Sequence, residues 1–238
     1  MVLALSLILF LARSTPDAAA LLSDVDEAAR AATTWRVEGH VTFENGSSGD
    51  FAYDFRLAWR APDLARYETD GATSGRTLVV CDGATLWTYS SRTNHYTTSE
   101  RSQGDNASDD PDRVWLYRCA APIAPLHNLA TGLVSAKFVG HETLEVNGQF
   151  RECDVVRAEY RSNNESSGRL TRTMCIDAAG LLILRDRIEA ENPDAGDSPV
   201  VRRIETITYG TVERDGKLAD DLFYSRRRQQ ARLRIWGR

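Results

Sequence analysis

WRVEGHVTFENGSSGDFAYDFRLAWR, residues 35 to 60, is the stretch whose reading decides the fold. Apolar and polar side chains alternate with a period of two on both sides of a polar link, which is the signature of half-buried antiparallel strands. Trp35, Val37, Gly39, Val41 and Phe43 fall on one side of the first strand, against Arg36, Glu38, His40, Thr42 and Glu44. After the link from Asn45 to Asp50, opened by Asn45-Gly46, Phe51, Tyr53, Phe55, Leu57 and Trp59 oppose Ala52, Asp54, Arg56, Ala58 and Arg60. The pattern predicts a hairpin with one strongly apolar face. Two Trp, three Phe and a Tyr on one face form a large apolar surface that something must cover.

A cover is available upstream. Residues 17 to 33 read as a helix, with Asp17 as cap after Pro16 and with Leu21, Leu22, Val25, Ala28, Ala29 and Ala32 at helical spacing. Downstream, short strands are expected at about residues 64 to 70, 76 to 81, 85 to 89 and 93 to 98, punctuated by Pro62, Asp70-Gly71 and Asp82-Gly83. Residues 99 to 112 are polar and loop-like. Residues 113 to 133 lack β alternation, are interrupted by Pro122 and Pro125, and read as one or two short helices. Five more strands are expected at about 135 to 146, 149 to 160, 168 to 177, 181 to 190 and 199 to 211. Ten or eleven strands at this spacing predict a mainly β (α+β) fold built on a large curved antiparallel sheet or barrel. No repeat of 20 to 50 residues is visible, and no linker divides the chain into two domains.

Length and composition agree with one folded domain over residues 15 to 225: 238 residues, 42% hydrophobic, 26% charged and five Trp supply a sizeable core. The apolar run from Val2 to Ala12 has the length of a signal-peptide core and is short of the roughly 20 residues a membrane span needs. Residues 1 to 14 are therefore expected to be a removable export signal or an anchor, with only Met1 in place of a positive leading region. No permanent membrane span is expected in the mature chain. Overall charge is −5, but residues 226 to 238 carry six Arg and no acid, leaving −11 on the remainder. Such a basic tail could attract nucleic acid or anionic headgroups; a solvated end is the preferred reading, and no nucleic-acid partner is expected.

Four Cys (Cys81, Cys119, Cys153, Cys175) suit an oxidising compartment, and three pairings are open on paper. Cys153 with Cys175 is the first choice because they lie in neighbouring expected strands; four buried free thiols are the alternative. Motifs for an enzyme are missing: there is no G-x-S-x-G, H-E-x-x-H, Walker loop or Rossmann glycine set. His40, His95, His127 and His141 are scattered, and no pair has the close spacing of a typical metal site. Asp109, Asp110 and Asp112 cluster where acids favour a helix start and lack the pattern of a Ca²⁺ loop. Neither cofactor nor metal is expected. Asn45, Asn106 and Asn164 open glycosylation sequons, which matter only in a eukaryotic secretory pathway.

Leu78-Val-Val-Cys-Asp-Gly-Ala-Thr-Leu-Trp-Thr-Tyr89 resembles the strand-Asp-Gly-strand signature of the periplasmic lipoprotein carriers, the LolA-like family and its outer-membrane lipoprotein-sorting relatives. The likeness extends to the leading helix, to Arg60-Ala61-Pro62-Asp63 before the third strand, and to a closing element from Leu218 to Phe223. It implies an unclosed antiparallel β-barrel, lidded by helices, whose concave apolar face receives acyl chains of lipoproteins or other lipids in the periplasm without catalysis. The hairpin residues Trp35, Val37, Val41, Phe43, Phe51, Tyr53, Phe55, Leu57 and Trp59 are the expected lining, and Trp87 and Tyr89 of the motif complete the set. This sequence departs from the family at Ala61, where carriers have a basic residue, and at the Arg tail after Phe223. The competing reading is a lipid-sensing or protein-interaction module of the cell envelope that captures a partner on the same half-barrel. An enzyme on this scaffold has no positive sign in the sequence.

Overall fold

The computed structural model describes residues 17–45, 49–100, 128–161, 170–192 and 201–223. Expectations for residues 1 to 14, for the segment 113 to 127 with Cys119 and His127, for Asp109, Asp110 and Asp112, for Asn106 and Asn164, and for the Arg tail lie outside them. Helix α1 (Ala18–Ala31) begins at Asp17, whose carboxylate accepts from the Ala19 and Ala20 amides at 3.0 and 3.3 Å. Such an N-cap satisfies amide donors that a first helical turn leaves unpaired. Leu21, Leu22, Val25 and Ala29 form its buried face.

Eleven strands follow: β1 (Thr34–Asn45), β2 (Phe51–Arg60), β3 (Leu64–Gly71), β4 (Gly75–Asp82), β5 (Thr85–Ser90), β6 (His95–Glu100), β7 (Leu133–Val146), β8 (Gln149–Tyr160), β9 (Leu170–Asp177), β10 (Leu182–Asn192) and β11 (Val201–Arg214). They form one sheet in the order β6-β5-β4-β3-β2-β1-β11-β10-β9-β8-β7, and the pairings between neighbours are antiparallel. The sheet does not close. Asn128 to Gly132 form a turn that runs directly into β7, so the helical reading does not hold for the end of that segment. At the β7–β8 turn Asn147 and Gly148 take φ values of 57° and 70°, the left-handed pair that a two-residue hairpin requires.

Four register shifts, one between β1 and β11, one between β9 and β10 and two between β7 and β8, bend the sheet, and each moves side chains between faces. In β1 the shift falls between Glu38 and Gly39, opposite Tyr209 and Thr211. A Cβ at Gly39 would lie 2.4 Å from the Thr208 carbonyl oxygen and 2.9 Å from the Phe55 ring, so only glycine lets Phe55 lie across β1. In β7 the shift between Phe138 and Gly140 sends Glu142, Leu144 and Val146 to the face opposite Leu133 and Ala136. That half of β7 folds over the outside of β9 and β10, and the Asn147 amide reaches the Gly210 carbonyl at 2.8 Å. A small outer cluster of Val146, Cys153, Cys175 and Leu184 results. The main core lies on the other, inner face, beneath α1, and draws on β1 to β5 and on β7 to β11.

Cys153 and Cys175 meet in that outer cluster as free thiols, so the expected pairing is not shown. The register explains it: Val155 is the direct partner of Cys175, so Cys153 sits on the diagonal. The two thiols hydrogen-bond to each other, and each donates to β7, Cys153 to the Glu142 carbonyl and Cys175 to the Glu142 carboxylate, both at 3.3 Å.

Candidate functional site

Register decides which side chains share the inner face. Trp35, Val37, Val41 and Phe43 of β1 stand opposite Trp59, Leu57, Tyr53 and Phe51 of β2, with Phe55 opposite Gly39. The series continues through Tyr67 and Ala65 of β3, Val79 and Cys81 of β4 and Leu86 of β5, and on the other side through Ile207 and Val212 of β11. Nine of the eleven residues expected as lining are thus brought together.

Trp87 and Tyr89 are not among them. Trp87 is opposite Val80 and Tyr89 is opposite Leu78, and those two pair with Arg66 and Glu68 of β3, the side of the sheet turned away from Trp59 and Leu57. Their aromatic pair belongs to the outer face, where Tyr89 packs on Tyr96 with ring centroids 4.7 Å apart. The physical reason is the period of two: Asp82-Gly83 sets the β4–β5 register, and that register puts the even residues of β5 inside.

Burial is graded along the lane. Trp35 and Val37, next to the end of α1, are 2% and 0% exposed, whereas Phe51 at the far end of the hairpin is 44% exposed. Phe43 stacks on Phe51 at 4.4 Å and lies 6.2 Å from Tyr53, so the exposed end is an aromatic rim. The cover is anchored by Asp26 of α1, itself buried, which accepts from the Asn128 amide at 2.6 Å and pairs with Arg30 at 2.8 Å.

The inner face also carries polar groups that the sequence reading passed over. Arg172 and Asp186 are buried and joined at 2.5 Å, with the Arg172 guanidinium 5.8 Å from the Tyr160 ring. Glu205 stands opposite Phe43 on one side and Ile188 on the other. Its nearest charged partner among the described residues is Arg203, at 3.6 Å. Burial holds the Glu205 carboxyl above its ordinary range, with Arg203 opposing and Asp186 reinforcing the shift. Tyr53 and Tyr67 hydrogen-bond to each other, and burial pushes both hydroxyls up. An acid in register with Ile207 and Tyr209 in the last strand was the available sequence signal. Alternation alone does not say which face of that strand is buried.

His40 pairs with Asp54 at 2.7 Å and His141 with Asp154 at 2.8 Å, each with an exposed imidazole. No group of three His, Cys, Asp or Glu side chains placed to hold a metal occurs among the described residues. Among those residues, no helix is long and apolar enough to cross a membrane.

No family model matches the sequence, and no curated protein matches it at a significant level. Solved structures do. A chain of the Pseudomonas aeruginosa MucA/MucB complex is similar over 88% of this chain and 61% of its own, at 16% identity and a TM-score of 0.45. This chain therefore spans about three fifths of that relative's length. The Mycobacterium tuberculosis lipoprotein LppX is similar over 84% of this chain and 97% of its own, at 12% identity and a TM-score of 0.49. A LolA superfamily protein from Nitrosomonas europaea is similar over 87% of this chain and 97% of its own, at 10% identity and a TM-score of 0.37. The likeness is one of fold.

Proposed function

We propose that the chain is a non-catalytic carrier of the cell envelope that binds acyl chains, of lipoproteins or of other lipids, on the inner face of its unclosed sheet. The observation that carries this reading is the lane from Trp35 and Trp59 to Phe43 and Phe51, continuous in apolar and aromatic side chains, deepest beneath α1 and exposed at its rim. An acyl chain taken into such a lane gains roughly 0.8 kcal/mol for each CH₂ removed from water. Movement of α1 would open the lane without breaking a strand pairing, because among the described residues the helix is held by its apolar side chains and by the Asp26–Asn128 hydrogen bond.

Native mass spectrometry of protein purified from the periplasm, with solvent extraction of whatever accompanies it, tests the reading. An acyl-containing species is expected in the wild type and is expected to be lost in Phe55→Glu or Trp59→Glu variants that still fold. A clean apo mass, with no uptake of added lipid or lipopeptide, would sink it. A second reading, capture of an envelope protein, draws support from the edge strand β7 and its hairpin, where Val134, Val139 and Phe150 are 61%, 57% and 80% exposed. Under that reading a Val134→Lys/Val139→Lys variant loses a cross-linked partner while lipid uptake is unaffected.

A further inference from the structure

The acyl lane has a polar end. Phe51 is its exposed end, stacked on the buried Phe43 beside the half-buried Tyr53, and Glu205 is directly opposite Phe43 in the neighbouring strand. Tyr53 and Tyr67 hydrogen-bond to each other, and the Tyr53 ring lies 6.2 Å from Phe43, the residue that Glu205 stands opposite. Buried polar groups are ordinarily paired, and a half-buried carboxyl without a tight donor is costly. Glu205 has only the long Arg203 contact among the described residues, and that guanidinium also lies 5.0 Å from the Phe43 ring. We infer that Tyr53, Tyr67 and Glu205 form a subsite that receives the hydroxyl groups at the polar end of a neutral lipid, with its acyl chain running inward over Phe55 and Leu57. This rests on the carrier reading and specifies its ligand class.

Charge selects the hydroxyl over other headgroups. An anionic head would face the Glu205 carboxyl, and the nearest cation among the described residues, Arg203, already stands beside that carboxyl. A cationic head would gain little, because Arg203 already stands beside Glu205 and the Asp186 charge is taken by Arg172 at 2.5 Å. A hydroxyl can donate to Glu205 and accept from a tyrosine O–H, satisfying groups on both sides.

Displacement of the neutral probe N-phenyl-1-naphthylamine at pH 7 by 1-monolauroylglycerol, methyl laurate and laurate, three ligands with one acyl chain, separates the two claims. The monoglyceride is expected to displace the probe at about tenfold lower concentration than either of the others, the scale of one or two net hydrogen bonds. In Tyr53→Phe/Tyr67→Phe, which keeps both rings, and in Glu205→Leu, that ratio is expected to fall to about twofold or less. Equal displacement by the monoglyceride and the methyl ester, a preference for laurate, or a ratio that survives in both variants overturns the subsite and leaves the carrier reading standing. Failure of all three ligands to displace the probe, or of the probe to bind, overturns both.

Discussion

Glu205 and Glu68 are carboxyls of one sheet with opposite pH behaviour. Glu205 lies on the inner face, where burial outweighs Arg203 and raises its affinity for a proton. Burial acts on Glu68 in the same direction, but Arg66 and Arg76, the latter at 2.8 Å, overcome it and hold the carboxyl below its ordinary range. A raised native carboxyl contributes stability that is complete below the unfolded value near about 4.3 and is lost as pH rises through the native value. A lowered one contributes above that unfolded value and is lost as pH falls through the native one. Urea titrations from pH 3 to pH 7 should therefore show wild type losing ground to Glu205→Gln as pH rises and gaining ground on Glu68→Gln. Parallel curves for wild type and both variants would contradict the assignment. The apolar residues of the hairpin were legible because alternation and composition agree there. Glu205 was not, because an acid in a strand reads as solvent-facing until the register opposite Phe43 is known.

Helix α1 shows how little polar chemistry fixes the cover. Its apolar face contributes Leu21, Leu22, Val25 and Ala29 to the inner core, and Asp26 links it to the turn before β7. Replacing Asp26 with Ala leaves the half-buried Asn128 amide without that acceptor and frees Arg30, at a cost of about 1–3 kcal/mol. Hydrogen exchange in the Asp26→Ala variant should accelerate through residues 18 to 31 and at Asn128, with strands β1 and β2 retaining their protection. Uniform acceleration across the sheet would mean that α1 is an inseparable part of the core. The helix itself, with its Asp17 cap, was readable from spacing and capping chemistry. Its tie to Asn128 joins residues 102 positions apart, and no local pattern announces such a contact.

At the scale of the whole molecule the two wings of the sheet, β2 to β6 and β7 to β10, are joined by the central β1–β11 pair and share one core beneath α1. That sharing predicts a single unfolding transition, with Trp fluorescence and far-UV circular dichroism changing together in denaturant; two separated transitions would mean that the wings are independent units. The sequence by itself determined the strands, the leading helix, the antiparallel meander and the apolar face of the first hairpin, because alternation, capping and turn residues are local properties. Only the tertiary structure decided that Trp87 and Tyr89 face outward, that Cys153 and Cys175 lie diagonally and donate to Glu142, and that Glu205 stands opposite Phe43 on the inner face. Each of those facts depends on registers and bulges between strands, where a shift of one residue turns every following side chain to the other face.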